Sequence, residues 1–118
     1  MINCHCERCR RMTGHFMAAT SSRIEDVEIE GEDLRWYTPA DEPTVAYGFC
    51  GTCGSTLFWR SDKSPAVISI AAGTLDTPTG LQTTRAIFTA DASDYHTLDK
   101  SLAAYRRGSI EEREYGTD

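Results

Sequence analysis

Five cysteines fall into two groups whose spacing suits metal binding. The first group is Cys4, Cys6 and Cys9, in the stretch CHCERC, and the second is Cys50 and Cys53, in CGTCG. Thiolates packed so closely repel one another unless a cation lies between them, and Zn²⁺ suits soft sulfur ligands. The sequence therefore predicts a zinc-binding protein.

The first group predicts an open metal site. Its spacings of two and three residues cannot turn all three side chains one way on a strand or a regular helix, so a loop is expected. Three thiolates leave a tetrahedral zinc ion one ligand short, and catalytic zinc sites keep that position for water or substrate. His5 and Glu7 are candidates for proton transfer, although solvent exposure is the favoured interpretation for Glu7. Arg10 and Arg11 are candidates for binding a substrate carboxylate.

Three alternatives stay open at this point. His5 could close the first site as a fourth ligand. The CxxC of the first group could instead join the CxxC of the second in a single four-cysteine ribbon, with Cys4 left over. A redox role is disfavoured for either pair, because thioredoxin-like motifs begin a helix in a βαβ unit and neither pair has that context.

The elements that must position these groups are predicted to be strands. Alternating runs separated by turn residues about every 8–12 positions favour a mainly β, single-domain fold with antiparallel strands and little helix. The second cysteine pair lies in a turn between two of these strands, a zinc knuckle in outline, where Gly51 and Gly54 permit positive φ. The predicted strands cover residues 15–21, 34–38, 45–49, 55–60, 67–71 and 85–89, with a short alternating segment at 27–30.

The end of the chain carries weaker signals. Residues 98–107 predict a short helix, with Asp99 as its cap and Gly108 as its stop. One domain is expected over residues 1–110, and the polar, charged stretch 111–118 is expected to be a flexible tail.

Length, charge and apolar content limit the class of protein. A chain of 118 residues with 40% hydrophobic residues suits one globular domain. A formal net charge of −6 argues against nucleic acid as a partner, since phosphate binding needs a basic surface. No stretch reaches the about 20 apolar residues of a membrane span, and the N-terminus has no signal-peptide core. We therefore predict a cytoplasmic protein without membrane partners, in which thiols stay reduced.

With both cysteine groups placed, the chain resembles the glutathione-dependent formaldehyde-activating enzyme family, which includes centromere protein V. The resemblance runs from about Asn3 to Ala90. It rests on three stretches in the order typical of the family: CHCERCRRMTG at residues 4–14, GFCGTCGSTLFWRSD at 48–62 and VISIAAGTLD at 67–76.

The resemblance implies a β-tent fold with zinc-ribbon-like knuckles and two zinc sites. It gives the catalytic zinc to Cys4, Cys6 and Cys9, and half of a structural zinc site to Cys50 and Cys53. The implied activity is that of a carbon–sulfur lyase acting on an adduct of glutathione, or another small thiol, with an aldehyde such as formaldehyde. The sequence leaves the oligomeric state open, and a homo-oligomer is one of the partners it allows. The alternative function is a non-catalytic zinc-binding structural or interaction module.

One departure from the family pattern affects the second site. Family members usually carry a CxCG segment ahead of the triple-cysteine group, and it supplies the other two ligands of the structural zinc. This sequence starts at Met1, three residues before Cys4, and is expected to lack both that segment and the first strand of the family. The second site is therefore expected to be half complete.

Overall fold

The computed structural model describes residues 1–108, and within them the fold is mainly β, as predicted. The chain divides into two compact units. The first unit is Met1–Ala19 together with the chain from Thr77 onward, and the second unit is Thr20–Asp76. Within residues 1–108, no helix is both long enough and apolar enough to cross a membrane. The predicted domain end at 110 and the predicted tail at 111–118 lie outside the described residues. The elements are β1 (Ile2–Cys4), α1 (Glu7–Thr13), β2 (Met17–Arg23), β3 (Leu34–Tyr37), β4 (Val45–Cys50), β5 (Thr56–Ser61), β6 (Val67–Ala71), β7 (Arg85–Ile87) and β8 (Ala103–Ala104), with short 3-10 turns at Ile24–Asp26, Ala72–Thr74 and Thr89–Asp91.

The first unit is organised around β1. This strand pairs antiparallel with the start of β2 and parallel with β7, which in turn pairs parallel with β8. The strands are therefore mixed in direction, which corrects the expectation of antiparallel strands throughout. Ala86 and Ile87 of β7 and Tyr105 after β8 are buried, as are His5 and Cys9, which follow β1. Because β1 ends at Cys4, its pairing fixes where the first thiol group begins.

The loop predicted for the group Cys4, Cys6 and Cys9 is only partly present, because helix α1 begins at Glu7 and includes Cys9. The Cys6 sulfur caps it by accepting the Cys9 N–H at 3.3 Å, and Gly14 ends it in the left-handed conformation. Glu7 in the first turn and Arg11 in the last complement the helix dipole and form an exposed ion pair at 3.0 Å. A seven-residue helix is marginal by propensity alone, so these terminal interactions and the burial of Cys9 hold it.

The predicted helix at 98–107 is wrong. Asp99 accepts hydrogen bonds from the backbone and hydroxyl of Ser101, at 2.9 and 2.6 Å, and so closes a local turn instead of capping a helix. The Ser101 hydroxyl also lowers the pKa of Asp99. The chain then forms β8, and the Tyr105 N–H donates to the Ala86 carbonyl at 2.9 Å. Pairing with β7 satisfies the backbone groups that a helix would have satisfied internally.

The second unit contains an antiparallel meander of β3, β4, β5 and β6. Its strands match the predictions closely, and β6 coincides with the predicted stretch 67–71. The alternating segment at 27–30 forms no strand. It follows the 3-10 turn at Ile24–Asp26, where Arg23 pairs with Glu25 and Asp26 at 3.1 and 3.0 Å.

Gly48 allows two aromatic rings to pack across the middle of this meander. It lies opposite Trp36 on one side and Phe58 on the other, and the two rings stack with centroids 6.3 Å apart. The Arg60 guanidinium lies 4.0 Å from the centre of the Trp36 ring, which adds a cation–π contact. A Cβ on Gly48 would lie 3.1 Å from the Trp36 ring and 3.2 Å from the Phe58 Cβ.

Replacing Gly48 with alanine should therefore destabilise the second unit. The Phe58 Cβ is fixed to a paired strand and cannot move aside freely, so we expect a loss of about 1–3 kcal/mol in the free energy of unfolding. Urea unfolding measures this loss. Gly73→Ala is the matched control, because nothing lies within 4 Å of the Cβ position there. Equal stability of the two variants would contradict the prediction.

Candidate metal centre

Three sulfur atoms meet where β1 passes into α1. Cys4 ends β1, Cys6 caps α1 and Cys9 lies buried in the first turn of the helix. Their sulfur atoms all lie within 4.8 Å of one another, an arrangement that could hold a metal ion. The strand, the cap and the helix each contribute one thiol, so a change of backbone direction brings together side chains that no single regular element could.

Local backbone bonds fix this change of direction. The His5 N–H donates to the Ile87 carbonyl at 2.9 Å, which continues the pairing of β1 with β7 past Cys4. The Arg10 N–H then donates to the Cys6 carbonyl at 2.9 Å and closes the first helical turn. The position of the sulfurs is therefore set by backbone hydrogen bonds on both sides of Cys6.

The three thiols share charge unequally. The hydrogen bond with Cys4, followed by that with Cys9, lowers the pKa of Cys6, so Cys6 is the thiol of the three that loses its proton most readily. Donating to Cys6 raises the pKa of Cys4 to about 12. Hydrogen bonding with Cys4 and then Cys6, together with burial, raises the pKa of Cys9. A single negative charge held by neighbouring S–H groups is the expected metal-free form of a cluster whose three thiolates would otherwise repel.

The three histidines of the chain form one group of contacting rings, and one of them, His5, stands between Cys4 and Cys6 in the sequence. His5 is only 2% exposed, and its ring stacks on His96 at 5.4 Å and tilts against Phe16 at 5.1 Å. His15 meets His96 edge-on at 4.1 Å. Burial, followed by the charges of the other two histidines, lowers the pKa of His5. The His5 nitrogens are not part of the cluster formed by the three sulfurs.

Sequence reasoning missed two of these histidines. His96 lies some 90 residues from His5 along the chain, and neither it nor His15 belongs to a motif. The neighbouring Tyr95 donates its hydroxyl to the Gly14 carbonyl, and its ring stacks on His15 at 6.1 Å. The sequence contains only three histidines, and that small number is the one signal that could have drawn attention to them as a group.

The two candidate arginines differ in their partners. The Arg11 Nε donates to the Glu7 carboxylate at 3.0 Å, and both side chains are largely exposed. The Arg10 Nε is buried and has no hydrogen-bond partner. The predicted solvent exposure of Glu7 agrees with its surroundings. Of the two arginines, Arg10 is the one with a buried donor that has no partner.

The second cysteine pair, Cys50 and Cys53, is distant in sequence from the first group and belongs to the second unit. Cys50 ends β4, and Cys53 is exposed in the turn before β5, as the sequence predicts. A hydrogen bond with the Ser55 hydroxyl, at 3.1 Å, lowers the pKa of Cys53. Among residues 1–108, no group of three or more metal-ligating side chains includes either thiol. Their role as metal ligands stays a prediction.

The chain is similar to a protein family and to a solved structure. A family model described as glutathione-dependent formaldehyde-activating enzyme matches residues 1–91. The crystal structure of a Rhodobacter sphaeroides protein, a structural genomics target, has a similar fold, with a TM-score of 0.54 and 24% sequence identity over 69% of this chain and 76% of that chain. No protein with a curated description matches significantly. Since the family match covers well over half of the 118 residues, the chain belongs to the glutathione-dependent formaldehyde-activating enzyme family.

Proposed function

We propose that this protein is a zinc-dependent carbon–sulfur lyase that acts on the adduct of a small thiol, such as glutathione, with formaldehyde or a related aldehyde. The observation that carries the proposal is the cluster of three sulfurs, which offers three ligands and leaves a tetrahedral ion one position for a substrate. Membership of the family supports glutathione as the thiol.

The residues present fit a zinc ion. Sulfur ligands at the usual zinc–sulfur distance of about 2.3 Å lie about 3.8 Å apart around a tetrahedral ion, and the three sulfurs here need little movement to reach that spacing. Cys4, Cys6 and Cys9 would hold the ion. A bound zinc ion lowers the pKa of a coordinating thiol and stabilises its thiolate, which is the nucleophile that adds to an aldehyde carbon.

The surrounding residues would bind and orient the substrate. Arg10 follows Cys9 on α1, and its guanidinium, which has no ion pair within the described residues, would bind one of the carboxylates of glutathione. Arg11 already pairs with Glu7 and would contribute less. We assign His5, which is buried between two of the three cysteines in sequence, the transfer of the proton released by the substrate thiol.

The direct test measures the interconversion of glutathione and formaldehyde with their adduct by NMR exchange spectroscopy. We expect the wild-type protein to accelerate exchange above the uncatalysed rate, and Cys9→Ser to lose the acceleration. Cys53→Ser is the control and should retain it, because that thiol is outside the cluster. An intact metal-bound cluster without affinity for glutathione or other small thiols would instead support the non-catalytic zinc-binding module.

The contrast between the arginines gives a separate prediction. Arg10→Ala should raise the KM for glutathione about 10- to 100-fold, since a charge-assisted hydrogen bond contributes about 1.5–3 kcal/mol. Arg11→Ala is the matched control on the same helix and should change KM less than about three-fold, because it breaks only an exposed ion pair. Steady-state kinetics at fixed formaldehyde checks both. Equal KM values for the two variants would remove Arg10 from the proposed substrate site.

A further inference from the structure

We propose that Arg35 protects the free edge of β3 from pairing with a second copy of this chain. Among residues 1–108, β3 pairs with β4 alone, so it is the outermost strand of the meander. An outermost strand presents unpaired N–H and C=O groups, and an extended strand of another molecule can pair with them. Neither Arg35 nor β3 takes part in the activity proposed above.

The register of β3 shows which of its backbone groups face outward. The Gly51 N–H donates to the Asp33 carbonyl at 2.7 Å, so the backbone of Asp33 faces β4. Along an antiparallel strand, residues that bond to the partner alternate with residues that do not. The N–H and C=O groups of Leu34 and of Trp36 therefore point away from β4, toward the unpaired side of the meander.

The Arg35 side chain covers part of this unpaired side. Its Nη1 donates to the Leu34 carbonyl at 3.0 Å and to the Glu32 carbonyl at 2.7 Å. Its stem packs closely over Gly51, where a Cβ would lie only 2.9 Å from the Arg35 Cγ. Because the outward carbonyl of Leu34 already accepts a charge-assisted hydrogen bond, an incoming strand must displace the guanidinium before it can pair there.

The charge of Arg35 opposes pairing with an identical strand as well. Two copies of β3 can pair antiparallel about a two-fold axis only in a register that brings their outward groups together. The register with the most overlap places Leu34 of one copy opposite Trp36 of the other, and it places the two Arg35 residues directly opposite each other. Like charges in that position are destabilising. Arg35 thus acts against self-pairing both through its hydrogen bonds and through its charge.

The test compares the self-association of the full-length Arg35→Ala variant with that of the wild-type chain by sedimentation equilibrium. We expect the association constant of the variant to be at least about ten-fold higher, since the substitution frees the Leu34 carbonyl and removes the repulsion at the axis. Lys63→Ala is the matched control, because it removes the same charge from an exposed position in the same unit. Both substitutions make the net charge one unit more negative, and Lys63→Ala should associate no more than the wild type.

Amide hydrogen exchange locates the contact. In Arg35→Ala, the N–H groups of Leu34 and Trp36 should be better protected at high than at low protein concentration, whereas in the wild type their exchange should not depend on concentration. If Arg35→Ala unfolds, Arg35→Thr takes its place with the same expectations, because threonine is favoured in strands. Association no stronger than that of the wild type, association without added protection of these two amides, or equal association of Lys63→Ala would overturn the proposal.

Discussion

Replacing Cys6 with serine should release about one metal equivalent per chain while leaving the fold intact. Cys6 supplies one of three thiols to the cluster and also caps α1 through its sulfur. Serine is among the best N-cap residues, so its hydroxyl can take over the bond to the Cys9 N–H. The variant therefore removes a metal ligand without removing the cap. Its effect on metal content can be read separately from any effect on the helix.

The measurement is elemental analysis of protein purified without added metal, alongside the circular dichroism spectrum and the unfolding midpoint of each variant. Cys53→Ser is the control and should keep the equivalent that Cys6→Ser loses. Zinc is the metal we expect, and the same analysis identifies it. Undiminished metal in Cys6→Ser would show that the three sulfurs do not form the site. If Cys6→Ser lost its metal and also unfolded, Cys4→Ala would decide, because it removes a thiol of the cluster and leaves the helix cap in place. A folded Cys4→Ala variant that keeps its metal would contradict the prediction.

Replacing Ile68 with alanine should produce the largest loss of stability in the second unit. Ile68 lies on β6 and is only 1% exposed, which makes it one of the most deeply buried large side chains among the described residues. Truncation of a buried isoleucine removes apolar contacts and leaves a cavity, at a cost of about 2–5 kcal/mol. That cost is a large fraction of the total stability of a small protein.

The neighbouring residue provides the control. Val67 lies on the same strand but is 40% exposed, so Val67→Ala should change the free energy of unfolding by less than about 1 kcal/mol. Both values come from urea titrations followed by tryptophan fluorescence, with the midpoint compared at constant slope. If the two variants were equally stable, Ile68 would not occupy the interior in solution.

Local patterns in the sequence predicted the second unit well. Residues 67–71 alternate between faces along a short apolar run, and β6 forms there because that period belongs to the strand itself. The turn at Cys50 and Cys53 was likewise predictable, since glycines flank the thiols and strand-forming residues flank the glycines. Nothing distant in the chain is needed to specify these features.

The first unit was predicted less well, because partners far along the chain shape it. Residues 98–107 carry a fair helix pattern, but β7 offers a pairing edge that the local sequence does not reveal, and β8 forms instead. Helix α1 had its own signals, an early Glu7 and a terminal Gly14. The spacing of the three thiols nevertheless predicts a loop, because it does not reveal that the chain changes direction at Cys6.

The sequence by itself determined the residue types and spacing of the thiol group, and thereby the chemistry available to it. Soft sulfur ligands separated by two and three residues point to a metal whatever backbone carries them. Tertiary structure alone decided that β1 and α1 meet at Cys6 and that His15 and His96 gather around His5. It also decided that Arg11 is paired while the Arg10 Nε is not. These outcomes depend on packing and on pairing between distant segments, and local sequence patterns carry no information about either.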